Sequence, residues 1–396
     1  MSRSVHARVP LVLLMFAAIV STVLSQSSGT VAERRARIEA GLLPATGRGA
    51  AKAPAMRLDE RMVFYKVPAV SVAVIDDGRL AWAHAWGVAN SDTKASVTTY
   101  TMFQAASISK PVAAIVAMAM VGQGTIALDD DVNSRLKSWR LGFAPDISGP
   151  ATIRHLLTHT AGTTVHGFRG YDRTENVPTT LQVLDGVPPS NSSRIVVDQT
   201  PGEQWRYSGG GYTVLQQLME DVSKRPFADL AKTTVLEPLE MSRSTYEQPL
   251  PDKFHSSAAT GHLKDGRPMP GSWGIHPELA AAGLWTTPSD LARVALEVQR
   301  GMTNGQQKVL TRELTIQMLT VFKGNQGIGF GVNGEGKSLR FSHGGSNRGY
   351  RCQLIAFATA GKGAVIMTNG DGGGQLAAEL QRAIAKEYGW PETRDR

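Results

Sequence analysis

Ser107 and Lys110 are the residues of this chain whose types and spacing most directly suggest chemistry. The apolar run at 111–120 predicts a buried helix, which would place the two side chains one turn apart on the same face. At that spacing the Lys amine can reach the Ser hydroxyl, and a helix start directs backbone N–H groups toward negative charge. A weak nucleophile beside a base is the arrangement that covalent catalysis requires. The pattern equally suits an ordinary helix with Pro111 in its first turn and a solvated Lys, so the pair alone leaves both interpretations open.

Two further motifs follow along the chain. Tyr207 stands just before the glycine run 209–211, which leads into a helical pattern at 214–219. His343 ends one apolar stretch and is followed by two glycines and then by a second apolar stretch at 350–358. A hydroxyl with an amine, a phenol and an imidazole therefore occur in order, each at the border of a predicted element.

Taken in this order, Ser-x-x-Lys, the Tyr motif and His-Gly-Gly resemble the motifs of the serine beta-lactamase and penicillin-binding protein superfamily. The chain looks most similar to the branch that holds class C beta-lactamases, D-amino-acid-specific peptidases and the lactamase-like esterases of family VIII. The stretches 152–162 and 281–292 also match the family in type, and the resemblance extends over roughly 55–390. It implies a serine hydrolase that works through an acyl-enzyme and requires neither a cofactor nor a metal.

The resemblance also assigns roles to individual residues. It implies that Ser107 is the acylated nucleophile and Lys110 its close partner. Tyr207 would be the second proton carrier, acting either as a phenolate or through a proton shared with Lys110. Because an unperturbed Tyr has a pKa near 10, a base of this kind needs positive charge beside it, which we expect from Lys110 and His343. The oxyanion hole would consist of the backbone N–H groups of Ser107 and Ser346.

The expected substrate-binding residues are Gly209, Gly344, Gly345 and Ser346. Gly344 and Gly345 suit a strand against which a substrate backbone lies, because neither carries a side chain. Two positions depart from the beta-lactamase pattern: Gly209 stands where class C enzymes carry Asn, and His343 stands where many penicillin-recognising enzymes carry Lys. A fixed ammonium is thereby replaced by a group whose charge varies near neutral pH. Both changes suit esters or uncharged amides at least as well as penicillins.

These observations predict an exported serine hydrolase that acts on carboxylic esters or peptide-like amides, including amides with a D-residue. Beta-lactam hydrolysis stays open as a side activity. The alternative enzyme is a true beta-lactamase or D-Ala-D-Ala carboxypeptidase, and the alternative outside enzymes is a penicillin-binding sensor domain that is acylated without turnover. The expected partner is a small-molecule substrate, and the sequence leaves the oligomeric state open.

Other patterns do not meet the requirements of competing chemistries. His155 and His159 have helical spacing, but the metalloprotease motif needs Glu after the first His, so we predict helix capping and packing for them. The chain has no Gly-x-Ser-x-Gly nucleophile elbow. The glycine run has no Walker Lys, and the acidic triplet 129–131 lacks the spacing of a calcium loop.

Residues 1–25 have the features of an export signal. Arg3 and Arg8 precede a nearly apolar run at 9–24, and cleavage is predicted near Ser25, which gives a periplasmic or secreted protein with no stable membrane insertion. An uncleaved anchor is the alternative, because the run falls just short of the roughly 17 to 25 residues that a spanning helix needs. Residues 26–54 are predicted to be a linker or a frayed helix.

Composition agrees with a globular enzyme behind that signal, with 42% apolar and 19% charged residues in a chain of 396. The formal net charge of +8 is not concentrated in a basic stripe, so no nucleic-acid site is expected. Cys352 is the only cysteine, which excludes an internal disulfide and suggests a buried thiol.

The predicted fold class is α/β (α+β). Strands are predicted in two hairpins, 69–75 with 80–88 and 350–358 with 363–368. A terminal helix is predicted at 375–387. One antiparallel sheet would then be built from both chain ends and covered by helices, with a mainly helical insertion. The sheet domain is assigned to 55–105 and 270–396 and the helical domain to 106–269. Ser107 would lie at their junction, where clefts commonly form.

Overall fold

The computed structural model describes residues 29–43 and 54–391 of the chain. Its strands are β1 (Ala69–Asp76), β2 (Arg79–Gly87), β3 (Phe103–Gln104), β4 (Gly142–Phe143), β5 (Tyr171–Asp172), β6 (Val196–Val197), β7 (Gly274–Ile275), β8 (Trp285–Thr286), β9 (Gly331–Asn333), β10 (Arg340–Asn347), β11 (Tyr350–Phe357) and β12 (Gly363–Thr368). Its α-helices are α1 (Val31–Glu39), α2 (Leu58–Tyr65), α3 (Ser109–Gly122), α4 (Val132–Arg135), α5 (Ile153–Leu157), α6 (Thr180–Asp185), α7 (Gly209–Ser223), α8 (Phe227–Ala231), α9 (Leu279–Ala282), α10 (Pro288–Met302), α11 (Arg312–Leu319) and α12 (Gly373–Glu387).

A six-stranded antiparallel sheet in the order β2-β1-β12-β11-β10-β9 forms the centre of the fold. Strand β1 from the N-terminal part lies beside β12 from the C-terminal part, with Val72 opposite Ile366. Both predicted hairpins are present, as β1–β2 and β11–β12. The predicted fold class, with an antiparallel sheet from both chain ends covered by helices, is therefore confirmed.

Alternate residues of β1 divide between two hydrophobic cores. Val70, Val72 and Val74 pack in the core that includes the apolar face of α12. Ala73 and Ile75, on the other face, belong to the larger core that includes α3 and α10. Since all five side chains are fully buried, helices cover both faces of the sheet at this strand.

The insertion between the two parts of the sheet is mainly helical, as predicted, and holds α3 to α8. Helix α3 runs through the larger core with every residue from Ser109 to Met120 buried. Helices α7 and α9 pack against it. The exact boundaries proposed for the two domains stay predictions.

Helix α1 lies inside 26–54, the segment predicted to be a linker or a frayed helix. A capping box starts it, and its Ile38 is 1% exposed. The Arg34 guanidinium lies 3.7 Å from the centre of the Tyr388 ring and pairs with Glu387 at the end of α12. Residues 31–39 of this segment therefore form a capped helix that packs against α12.

The predicted signal peptide, 1–25, lies outside the described residues. Within 29–43 and 54–391, no helix combines the length and the apolar character that crossing a bilayer requires.

Replacing Ile38 with Ala should lower the free energy of unfolding by about 2 to 5 kcal/mol, the usual cost of emptying a buried aliphatic site. Val31→Ala on the same helix is the matched control, because Val31 is 46% exposed and its loss should matter little. Urea unfolding measures both variants. Equal unfolding midpoints would show that α1 contributes no core packing.

Candidate active site

Ser107 lies in a 3-10 turn, Ala106–Ile108, and helix α3 begins two residues after it. The Ser109 hydroxyl donates to Ala106 O at 2.5 Å and accepts from the Leu284 N–H at 3.0 Å, which anchors the turn. Ala106 has a φ of 51°, a left-handed conformation that L-residues seldom adopt. The candidate nucleophile therefore sits on a strained and well-anchored turn, a common property of functional sites.

Lys110 lies in the first turn of α3 and is only 2% exposed. Its Nζ lies 3.2 Å from Ser107 Oγ and donates to Ala281 O at 2.8 Å. Burial lowers the pKa of this amine from 10.5 to about 7. Near neutral pH a large share of the molecules therefore carries an unprotonated amine beside the Ser107 hydroxyl.

Tyr207 completes this group. Lys110 Nζ lies 4.9 Å from the centre of its ring, and Tyr207 and Ser107 both line the same cavity. Burial raises the pKa of Tyr207 to about 12, and the nearby Ser107 hydroxyl offsets only part of that shift. Burial, together with the Lys110 charge, also lowers the pKa of His343 below its usual 6.5. At neutral pH Tyr207 is therefore a phenol, which favours the expectation of a proton shared with Lys110 over that of a phenolate.

His343, Gly344, Gly345 and Ser346 lie on β10, at an edge that the short strand β9 leaves free. Strand β9 pairs with β10 only as far as Ser342. The His343 Nδ1–H donates to Gly344 O at 2.7 Å, which leaves Nε2 as an acceptor. This strand packs against the turn that carries Ser107, so the two predicted oxyanion donors come from neighbouring elements.

The two glycines of this strand have different surroundings. A Cβ at Gly345 would lie 2.3 Å from Ala105 O, so only glycine lets β10 approach the Ser107 turn this closely. A Cβ at Gly344 would meet nothing nearer than Cys352 O at 4.0 Å. Gly345 therefore serves packing, whereas Gly344 keeps the approach to the site clear.

Gly209 is the first residue of α7, and the loop 163–168 lies against it. Its N–H donates to His166 O at 2.9 Å. A Cβ at Gly209 would lie 3.0 Å from the Phe168 ring and 3.2 Å from His166 O. Phe168 therefore takes the space that a side chain at Gly209 would need, and Gly209 does not line the cavity at Ser107.

A cavity of about 660 Å³ opens at Ser107. Tyr207 and the predicted β10 residues contribute to its wall, while Lys110 lies buried behind Ser107. The lining consists of Ser107, His166, Trp205, Tyr207, Ser342, His343, Gly344, Gly345, Ser346, Arg351, Cys352, Gln353, Leu354, Gly374, Ala377 and Ala378.

Trp205, His166 and Arg351 are among the lining residues to which the sequence assigned no function. Trp205, 45% exposed, stands two residues before Tyr207 in the chain, whereas His166 and Arg351 belong to none of the motifs. The His166 ring lies 5.0 Å from the Tyr207 ring. Arg351 donates to Asn347 O and Tyr350 O and pairs with Asp371 at 2.9 Å, so its charge is already compensated.

Lys110→Met should raise the melting temperature at pH 7. In the unfolded chain Lys110 keeps its proton up to a pKa of about 10.5, whereas burial makes the folded chain release it near 7, so wild-type stability falls as the pH drops from 10.5 to 7. The Met variant lacks this titration, and its advantage should be greatest below pH 7 and shrink toward pH 10. Thermal unfolding across this range measures it; a difference that does not vary with pH would contradict a buried neutral amine.

Gly345→Ala should destabilise the protein by about 1 to 3 kcal/mol or more, because the new methyl group overlaps the Ala105 backbone. Gly344→Ala is the matched control and should change the free energy of unfolding by less than about 0.5 kcal/mol. Chemical denaturation compares the two variants. Equal destabilisation would show that the close approach of β10 to the Ser107 turn is not required.

The beta-lactamase family model matches residues 56–388 of this chain. Esterase EstB of Burkholderia gladioli is 29% identical over 213 residues, which cover 52% of this chain and 52% of that protein. A D-aminopeptidase of Brucella ovis is 26% identical over 332 residues, 79% of this chain and 58% of that protein. The chain thus spans only a little over half the length of these curated relatives.

Solved structures give the same result for the fold. The octameric penicillin-binding protein homologue from Pyrococcus abyssi has a TM-score of 0.70 and 25% identity, over 84% of this chain and 76% of that chain. The family resemblance of the motifs is therefore confirmed, and with a match over most of its length this chain belongs to the beta-lactamase family.

Proposed function

We propose that this protein hydrolyses neutral carboxylic esters through an acyl-enzyme formed on Ser107. The proposal rests above all on the Lys110 amine, which lies 3.2 Å from the Ser107 hydroxyl and whose pKa burial lowers to about 7. Such an amine can accept a proton at neutral pH. The family supports the reaction class, since relatives of this chain include an esterase and a D-aminopeptidase.

In the first step, Ser107 Oγ attacks the carbonyl carbon while its proton passes to Lys110 Nζ. The backbone N–H groups of Ser107 and Ser346 stabilise the resulting oxyanion. The bond to the alcohol oxygen then breaks, and Tyr207 relays the proton from Lys110 to that oxygen. Water next attacks the acyl-enzyme and gives a proton to Lys110, and the departing Ser107 oxygen takes that proton back as the acid is released.

The charges around the cavity support a neutral substrate. Arg351 is the one cation of the lining within the described residues, and Asp371 already pairs with it. No Asp or Glu of the described residues lines the cavity either. A charged substrate group, a carboxylate or an ammonium, would therefore lose its hydration in the cavity without meeting a free group of opposite charge, which costs energy. Esters and uncharged amides avoid that cost, and carboxypeptidase substrates do not.

We further propose that the protein is exported, on the strength of the signal-like sequence 1–25. The physiological substrate would then be an ester that is present in the periplasm or in the medium.

Ser107→Ala should remove hydrolysis of a short-chain p-nitrophenyl ester, because the nucleophile is lost. Lys110→Ala and Tyr207→Phe should each lower kcat roughly a thousandfold and combine non-additively, because the two groups act as one unit. The kcat/KM of the wild type should rise with pH around an apparent pKa of about 7, as Lys110, whose pKa burial lowers to that value, loses its proton. Steady-state kinetics and intact-mass spectrometry measure product release and the adduct on Ser107.

A chromogenic cephalosporin is the comparison substrate. Rapid ester release with a transient adduct and slow cephalosporin turnover would support the proposal. Fast cephalosporin hydrolysis would instead favour a beta-lactamase, and a long-lived adduct without release would favour a sensor domain. A Tyr207→Phe variant with nearly full activity would show that the phenol carries no proton in the reaction.

A further inference from the structure

His159 holds the backbone on both sides of Tyr207. Its carbonyl oxygen accepts from the Arg206 N–H at 2.8 Å, and its Nδ1 accepts from the Ser208 N–H at 3.2 Å. Its ring also lies against the Tyr207 ring, with centroids 4.3 Å apart and planes inclined by 33°. One residue therefore contacts the preceding peptide, the following peptide and the side chain of Tyr207.

The protonation state of the His159 ring is fixed by its surroundings. The side chain is 3% exposed, and burial, with the nearby charge of Lys110, lowers its pKa well below 6.5. Because the Ser208 N–H donates to Nδ1, the ring proton resides on Nε2. Nε2 has no hydrogen-bond partner among the described residues, so nothing there competes for the other tautomer. The ring thus remains an acceptor toward Ser208 over the pH range in which Lys110 titrates.

The backbone of His159 is itself constrained. Its φ is 58°, in the left-handed region, where His, Asn and Asp are the non-glycine residues most often found. Such conformations persist where the surrounding contacts hold them, and they concentrate at functional sites. The strain at His159 is therefore maintained next to the segment that carries Tyr207.

We propose that His159 is a positioning residue that holds the Tyr207 phenol against Ser107, an inference that rests on the proposed function. His159 does not line the cavity, so it acts through Tyr207 and not on the substrate. Its neighbour His155 differs: its Nδ1 accepts from the Thr152 N–H at 3.2 Å and caps helix α5. Of the helix capping and packing predicted for the two residues, His155 provides a cap, whereas the His159 ring packs against Tyr207.

Three substitutions of His159 separate its acceptor from its volume. His159→Phe keeps a ring but gives Ser208 no acceptor, and His159→Gln places its amide near Nε2. His159→Asn places its oxygen near Nδ1 and tolerates the left-handed φ. We expect Phe and Gln to lower kcat about 10- to 100-fold with little change in KM, because a displacement of about 1 Å can have that effect. Asn should recover most of the loss.

The pH profile gives a readout that a purely structural role would not move. When Tyr207 is displaced, water reaches Lys110, and the apparent pKa of kcat/KM should rise above the wild-type value in the Phe and Gln variants. His155→Asn is the matched control, and its kcat and pH profile should stay near those of the wild type.

A folded His159→Phe with wild-type kcat and an unchanged pH profile would overturn the inference, and so would an equal loss in His155→Asn. If the Phe variant does not fold, the comparison of Gln with Asn decides, and equal kcat values in these two would overturn it.

The rate at which a fluorophosphonate probe labels Ser107 separates this inference from the proposed function. A wild type that hydrolyses no ester but is labelled faster than the Phe and Gln variants would refute the function and support the role of His159. Absence of labelling in every variant would overturn both.

Discussion

A buried lysine amine that can lose its proton near neutral pH, beside a serine hydroxyl, is the interaction on which the rest of this structure depends. Bringing an ammonium into an apolar core costs several kcal/mol, so burial favours loss of the proton from Lys110. The fold maintains that burial by running α3 through the larger core and by offering the amine the Ala281 carbonyl as a second partner. At neutral pH the protein is therefore less stable than a variant with an apolar residue in place of Lys110 would be. Such a loss of stability in exchange for activity is common at reactive sites.

The parts of the site come from distant segments, and the sheet determines whether they meet. Gly345 lies opposite Cys352 in the pairing of β10 with β11. A slip of one residue would turn Gly345 to the other face of the sheet, and in the direction that puts Ser346 in its place it would bring a side chain against the Ala105 backbone. It would also move His343 away from Tyr207, whose ring centre now lies 6.1 Å from that of His343. The register of β10 is therefore a condition for the site as well as for the core.

The sequence predicts features that depend on local patterns. Both hairpins, the helical insertion and the Ser-x-x-Lys pair follow from periodicity, turn residues and spacing within short stretches. It does not predict the direction of a pKa shift, because burial is a property of the whole fold: the sequence suggested that positive charge would lower the pKa of Tyr207, whereas burial raises it. Nor could it show that Phe168 fills the space beside Gly209, that Ala281 accepts from Lys110, or that 31–39 packs as a helix, since each of these contacts joins residues far apart in the chain.

The protonation states together restrict how the proposed reaction can run. At neutral pH, burial raises the pKa of Tyr207 so that it stays a phenol, and it lowers the pKa of His159 and His343 so that they stay uncharged. Lys110 is then the one group of this set whose proton occupancy changes near neutrality. Because only Lys110 gains or loses a proton near pH 7, Lys110 is the general base of the proposed reaction. Tyr207 then passes protons on as a donor and acceptor of hydrogen bonds. Because a phenol can do so only from one position, the contacts that hold Tyr207 against Ser107 matter as much to the reaction as the nucleophile itself.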